Sequence, residues 1–359
     1  MLEPALAWLK EQRSGDPFFA WVHFYDAHAP YRPPPPFDAR FRRHPYDGEI
    51  AYVDSALGRL VALLEQKGVL DRTLVVAVGD HGESLGEHGE EDHGLFLYDA
   101  VLSVPMIVRL PGRARAGTVV REQVRSVDLL PTMLEALGVR PTGAIDGESL
   151  LAVAQGRPRK AVPLSYAETF YPRLHFGWSE LKSARVGEWK LVDAPTPELY
   201  DLRVDRREAV NLAGRNPTVA DRLSADLRVV GGSFSAAPAA QPPPSAETLE
   251  RLRSLGYVGL AGGPGPASGR GADPKDMVPR LREFRRLMTD ATGLLRRGQA
   301  GAAVPLLKRA LAVNERAYDV HLALGDAYLQ QGLAPSASTR PRRCCTRRPP
   351  IRCSPPRAS

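Results

Sequence analysis

The sequence predicts an α/β fold, a sheet with helices on both faces, followed by a small antiparallel subdomain and then an all-α repeat segment. Apolar runs of strand length alternate with helical patterns over roughly the first 140 residues. Short strand-like stretches with no helix between them fill residues 180–202, and small residues recur at a 34-residue interval between Pro279 and Gly332.

Residues 17–25, PFFAWVHFY, form an aromatic run of strand length that leads into DAHAPYRPPPPFD, a loop kept extended by four successive prolines. His23 lies inside that run and is expected to be a hydrogen-bonded core side chain. From Glu49 to Lys67, apolar residues at Val53, Leu57, Leu60, Val61 and Leu64 follow helical spacing, with Gly68 placed to end the helix. TLVVAV (73–78) and PMIVRL (105–110) read as strands, and SVDLLPTMLEALG (126–138) as a helix closed by Gly138. SARVGEWKLVD and ELYDL read as an antiparallel hairpin or small sheet. Residues 231–246 and 259–274 are rich in Gly, Pro, Ala and Ser and read as linker.

Further on, Ala291 and Gly325, Leu294 and Tyr328, and Gly298 and Gly332 are each 34 residues apart, an interval resembling the tetratricopeptide repeat. The expected divisions are 1–160 for the α/β core, 161–228 for the C-terminal subdomain, 229–278 for a flexible linker, 279–334 for the repeat and 335–359 for a disordered basic tail.

The chain has 48 basic and 41 acidic side chains, but the tail alone contains seven arginines and no Asp or Glu. Without the tail the two signs balance at 41 each, so the body offers no basic groove for nucleic acid. Cys344, Cys345 and Cys353 all fall in the tail, which leaves the body without a disulfide framework or thiolate metal site. No stretch reaches the eighteen or so apolar residues of a membrane span. The first residues, MLEPALAWLKEQRSGDPFF, lack the basic-then-apolar pattern of an export signal.

Six of the eight histidines lie between residues 23 and 93, three of them in GDHGESLGEHGEEDHGLFLYD directly after TLVVAV. In an open α/β sheet, ligands bind outside the carboxyl ends of strands. Asp80 and His81 would leave that strand edge as a carboxylate and an imidazole, between Gly79 and Gly82. A hard divalent cation accepts the carboxylate, and the imidazole widens the choice towards Mn²⁺ or Zn²⁺. Glu83, Glu87, Glu90, Glu91 and Asp92 read equally well as a solvated acidic loop, and His88 is left open.

DHGESLGEHG, the following HG, LYD, VPMIVRLPG and SVDLLPTMLEALG together resemble the middle of the sulfatase family of the alkaline phosphatase superfamily. HFYDAHAPYRPP, YVDSALGRLVALLEQKGVLDRTLVVAVGDHG and ELYDLRVDRREAVNLA extend the resemblance over about residues 15–215. It implies an incomplete alkaline-phosphatase-like sheet and hydrolysis of a sulfate ester.

By position, Asp80 and His81 match the late pair of metal ligands, where many relatives have Asp-Asn and hold Ca²⁺. His28 matches the histidine that contacts the sulfate oxygens. His93 stands where relatives place a Lys or His that touches the same group or assists the leaving oxygen. Asp54, Tyr98 and Asp128 also fall within the resemblance, but helix or loop roles explain them. Family members are often exported.

The family nucleophile is a formylglycine made from Cys or Ser in a C/S-x-P-x-R motif that, with a pair of Asp ligands, should precede residue 17. This chain is therefore expected to be a fragment that does not turn over substrate alone. Cys353–Arg357 matches the motif literally, but within a tail so rich in Pro and Arg the match reads as chance. Two other readings stand beside this one. The first is a phosphodiesterase, phosphonate hydrolase or phosphoethanolamine transferase of the same superfamily; the second is a non-catalytic protein that docks a protein partner through the repeat.

Overall fold

The computed structural model describes residues 2–157, 159–233, 271–315 and 317–333. Most of the expected linker, the basic tail with its three cysteines, and the Cys353 motif lie outside them. The chain divides into two compact units: Met1–Thr169 with Leu181–Ala236, and Phe170–Glu180 with Ala237–Ser359.

In the first unit, the helix Leu2–Glu11 turns Leu2, Leu6 and Leu9 onto the long helix Pro45–Gln66, which contributes Ala56, Leu60, Leu63 and Leu64. The long helix starts four residues before the expected Glu49 because Pro45 supplies a preset φ at its first turn. It stops where expected, with Gly68 at φ +64°.

Residues 17–25 correct the sequence reading. They are not a strand, because they join neither of the sheets formed by the described residues. Phe18, Val22 and Phe24 turn towards the helical cluster, while Phe19 and Trp21 stay 76% and 80% exposed. His23 is exposed rather than buried, so its expected core role is also corrected. An aromatic run of strand length is a property of one segment, whereas a strand needs a partner for its backbone.

Strand β1 (Val75–Val78) pairs antiparallel with β2 (Met106–Arg109), Val75 opposite Arg109 and Val78 opposite Met106. The segment 126–138 resolves into a 3₁₀ turn, Ser126–Asp128, and a helix, Leu129–Ala136. Asp128 is fully buried at that junction, where it pairs with Arg125 and Arg159 and accepts the Glu148 N–H.

The C-terminal subdomain is a four-stranded antiparallel meander of β3 (Ser165–Thr169), β4 (Leu181–Val186), β5 (Trp189–Asp193) and β6 (Glu198–Asp201). The helix Pro217–Ser233 lays Leu223 and Leu227 on Ala184, Leu191 and Leu199. Burying five such side chains is the main stabilisation of this layer, at about 1.5–3 kcal/mol for each large one.

The β3–β4 connection belongs to the second unit. There Phe176 stacks on Trp178 and meets the Phe284 ring edge-on at 5.7 Å, and the Asn314 side chain donates to the His175 carbonyl. Helices Val278–Arg296, Ala300–Val313 and Tyr318–Gln330 pack through Ala291, Ala303, Ala310 and Ala327, all fully buried. Side chains this small let helix backbones approach closely. Gly298 and Gly332, one 34-residue interval apart, both close helices at positive φ. No described helix is long and apolar enough to cross a membrane.

Candidate active site

The loop that leaves β1 is shaped by close backbone contacts. Gly79 donates its N–H to the Pro105 carbonyl, and Gly82 donates to Val101. A Cβ on Gly82 would sit 2.3 Å from the Ala100 carbonyl oxygen, so only glycine allows this path.

Between them Asp80 accepts the His81 N–H through Oδ1. His81 Nδ1 lies 2.8 Å from the Gly82 carbonyl, which requires a proton on Nδ1 and leaves the Nε2 lone pair free. Nε2 is 3.9 Å from Asp80 Oδ2. A carboxylate oxygen beside a free imidazole nitrogen, with the other ring nitrogen tied to a carbonyl, fits a divalent metal ion. The pair supplies two donors, and no group of three His, Cys, Asp or Glu able to hold an ion occurs among the described residues.

Two further histidines, His93 and His28, meet beside this pair. The His93 ring lies on His81 with centroids 4.0 Å apart, and His28 meets His93 edge-on at 5.6 Å. Tyr25 stacks on the far side of His28 at 4.4 Å and 26°. His28, Asp80, His81 and His93 are thus gathered in one place.

Two buried carboxylates that the sequence reading did not single out hold this group. Glu49, 2% exposed on the long helix, accepts the N–H of His28 and that of Arg32, pinning both ends of the loop carrying His28. His28 Nδ1 is tied to the Ala29 carbonyl at 2.7 Å, so its Nε2 remains for a ligand. Glu83, with a side chain 3% exposed, bonds His93 Nδ1 at 3.0 Å. That bond raises the His93 pKa above the ordinary imidazole value against the opposing effect of burial, and the Glu83, Asp92 and Glu90 charges add to it. The neighbouring Tyr31 hydroxyl is pushed up first by its own burial and then by the Glu83 charge.

The solvated-loop reading of the acidic run therefore holds for Glu87 and Glu91, which are exposed, and fails for Glu83 and Glu90. Glu90 is 2% exposed and accepts the Leu95 N–H, turning the loop so that Leu95 to Tyr98 enter the core. His88 is structural: its ring stacks on Tyr98 at 3.6 Å and its Nε2 meets the Arg207 carbonyl.

Residues 1–139 match the sequence profile of the sulfatase family, and residues 86–229 match the C-terminal region of N-sulphoglucosamine sulphohydrolase. Residues 1–229 belong to the sulfatase family. Residues 294–340 match a tetratricopeptide repeat.

The N-acetylglucosamine-6-O-sulfatase of Bacteroides thetaiotaomicron is 34% identical over 185 residues, 47% of this chain and 32% of that protein. A multifunctional alkaline phosphatase superfamily protein, PehA of Trinickia caryophylli, is 32% identical over 195 residues, 49% and 37% of the two chains. The sulfatase segment thus spans about a third of the length of these relatives. In fold, the chain is similar to the crystal structure of Ps i-CgsB bound to k-i-k-neocarrahexaose: TM-score 0.54, 18% identity, covering 72% of this chain and 59% of that one. Sulfatases generally use a divalent metal.

Proposed function

We propose that this sulfatase segment takes part in metal-assisted hydrolysis of a sulfate ester, with Asp80 and His81 as metal ligands and His28 and His93 as contacts to the transferred group. The observation that carries this reading is the chain of ring contacts from His28 through His93 to His81, with His81 beside Asp80. A divalent cation bound there supplies charge screening for the group in flight. Ca²⁺ is favoured by the carboxylate, while Mn²⁺ and Zn²⁺ suit the imidazole.

His28 presents Nε2 to a sulfate oxygen. His93, kept cationic to higher pH by Glu83, donates to the ester oxygen as it leaves. The described residues bring two metal donors and no formylglycine motif. On this proposal the 359-residue chain alone is inactive, and a nucleophile-bearing segment completes the site. The repeat is proposed to dock a protein partner.

Cleavage of 4-nitrophenyl sulfate by the chain alone, and by the chain joined to a nucleophile-bearing sulfatase segment, tests the proposal. Turnover is expected only in the joined form and only with Asp80 and His28 intact. Turnover by the chain alone, or by joined Asp80→Ala at the parent rate, refutes it.

The Asp80–His81 pair also favours a second reading, phosphoryl chemistry by a phosphodiesterase, phosphonate hydrolase or phosphoethanolamine transferase, because His replaces the Asn of many sulfatases. Faster turnover of a phosphonate monoester or phosphodiester than of the sulfate ester would select it.

A further inference from the structure

The 34-residue interval gives helix Tyr318–Gln330 a counterpart in helix Val278–Arg296, and the two differ in what covers them. One interval back from Tyr318, Leu322, Gly325 and Leu329 stand Phe284, Met288, Ala291 and Leu295. Phe284 and Ala291 are buried in the core of the helical unit, and Met288 and Leu295 pack against it; helix Ala300–Val313 brings Ala303, Leu307 and Ala310 to the same core. Tyr318, Leu322 and Leu329 are instead 48%, 53% and 65% exposed. Steps of 4, 7 and 11 residues from Tyr318 keep the four positions within about 60° of arc, so they form one apolar stripe. Leu333, also exposed, lies four residues beyond Leu329 and just past the helix end, with its N–H held by the Tyr328 carbonyl.

Whatever covers this stripe must bring an apolar helix face of its own, as one repeat does for the next. Residues 335–359 hold six prolines and seven arginines, with Ile351 as their one large aliphatic side chain, so that stretch carries no helical apolar period. The stripe itself has the required face. The spacing Tyr318, Leu322, Leu329, Leu333 runs 4, 7, 4 and reads the same in both directions. Two copies laid antiparallel, with a two-fold axis between Gly325 and Asp326, therefore set Tyr318 against the second copy's Leu333 and Leu322 against its Leu329. Gly325 falls at the crossing, where a Cβ would meet nothing within 4 Å, and its lack of a side chain lets the two backbones approach. The same register sets Asp326 opposite Gly325, Asp319 opposite Gly332 and His321 opposite Gln330, so no like charges are directly opposed.

We propose that helix Tyr318–Gln330 is a self-docking surface, through which two copies of this chain pair antiparallel by Tyr318, Leu322, Gly325, Leu329 and Leu333 in an isologous dimer. The inference gives the protein partner proposed for the repeat one identity, a second copy, and rests on that part of the proposed function alone, not on the sulfate chemistry. One helix face is smaller than the ~800 Å² per partner of a standard interface, so the dimer is weak, with a Kd of roughly tens of micromolar.

The experiment is sedimentation equilibrium of the whole 359-residue chain from about 5 to about 300 µM, a range that brackets this Kd, with thiols kept reduced so that the tail cysteines form no bridge. The parent is expected to show monomer–dimer exchange. Leu329→Glu, at an exposed position, weakens it about ten-fold or more while the circular dichroism spectrum stays unchanged. Trp21→Ser, which removes an exposed apolar side chain of the other unit, leaves the exchange as in the parent. The direction of pairing is read by disulfide trapping with Cys344, Cys345 and Cys353 replaced by Ser: an equimolar mixture of Leu322→Cys and Leu329→Cys chains cross-links faster than either chain alone. A parent that stays monomeric at about 300 µM overturns the inference, while docking of a different protein by the repeat still stands. Dimerisation that Leu329→Glu does not weaken, or that Trp21→Ser abolishes, overturns it as well. So does faster cross-linking of either single variant than of the mixture, which marks a parallel pair.

Discussion

Replacing Lys190 by Met should unfold the sulfatase segment far more readily at pH 8 than at pH 5. The Lys190 side chain is 1% exposed on β5, and its Nζ lies 2.7 Å from Asp99 Oδ1 and 2.7 Å from Glu208 Oε1. Glu208 is 2% exposed, and its other oxygen accepts the Asp99 N–H. Methionine fills the space but leaves Glu208 without a cation and Asp99 with Arg185 alone, at 3.3 Å. Removing one partner of a buried pair costs about 3–5 kcal/mol. With a urea slope of about 3 kcal/mol/M, the unfolding midpoint then falls by roughly 1 M or more.

The pH dependence follows from Glu208, whose pKa burial already raises despite the pull of Lys190. Loss of the lysine raises it further. A carboxylate with a raised folded pKa binds protons more readily folded than unfolded, so stability increases as pH falls through that value towards the ordinary carboxylate range. The deficit of the variant should therefore shrink from pH 8 to pH 5. Urea unfolding followed by circular dichroism at both pH values measures it. A loss under about 1 kcal/mol at pH 8, far below the cost of breaking a buried pair, would refute the reasoning, as would a deficit independent of pH.

Asp128→Asn should cost about 3–5 kcal/mol at pH 7, because it strips a fully buried carboxylate from Arg125 and Arg159. Burial alone would raise the Asp128 pKa, but the hydrogen bonds from Arg125, the Glu148 N–H and Arg159 bring it below the ordinary value. Its stabilisation is present above about pH 3.9 and is lost as pH falls through the depressed folded value, so the variant should show a shallower loss of stability below about pH 4 in acid titration. An equally steep acid loss in both proteins contradicts this account. Glu83→Gln should lower the titration midpoint of the His93 ring signals, since the Glu83 bond is the main cause of the raised value. A raised imidazole pKa stabilises the fold fully below about pH 6.5 and ceases to do so as pH rises through the folded value. The parent should accordingly lose more stability than the variant between pH 6 and 8, and an unchanged His93 midpoint would sink the assignment.

What was legible in the sequence divides along physical lines. Helix Pro45–Gln66 and the hairpin β4–β5 announce themselves because local periodicity and a local stop signal are enough to specify them. The run 17–25 misled because an aromatic run of strand length is a property of one segment, whereas strand pairing is a property of two. The sequence reading did not single out the β3–β4 connection, residues 170–180. Its place in the helical unit rests on Phe176 meeting Phe284 and His175 meeting Asn314, pairs more than a hundred residues apart.

The same division runs through the candidate site. His28, Asp80, His81 and His93 stood out as chemistry-bearing types within motifs, whereas Glu49 and Glu83, which hold two of them, looked like ordinary helix and loop acids. Glu49 had one clue, its neighbour Gly48, where a Cβ would come within 2.8 Å of Pro33 and block the proline loop from the helix. Charged residues are rarely buried, so sequence reading places them outside by default. Here both carboxylates are inside because each has found donors that only the folded chain brings to it: the His28 and Arg32 N–H groups for Glu49, and the His93 ring for Glu83. The histidines could be picked out by type and motif, but their geometry belongs to these two buried acids, which is why substitutions at Glu49 and Glu83 should disturb the site as surely as substitutions at the histidines themselves.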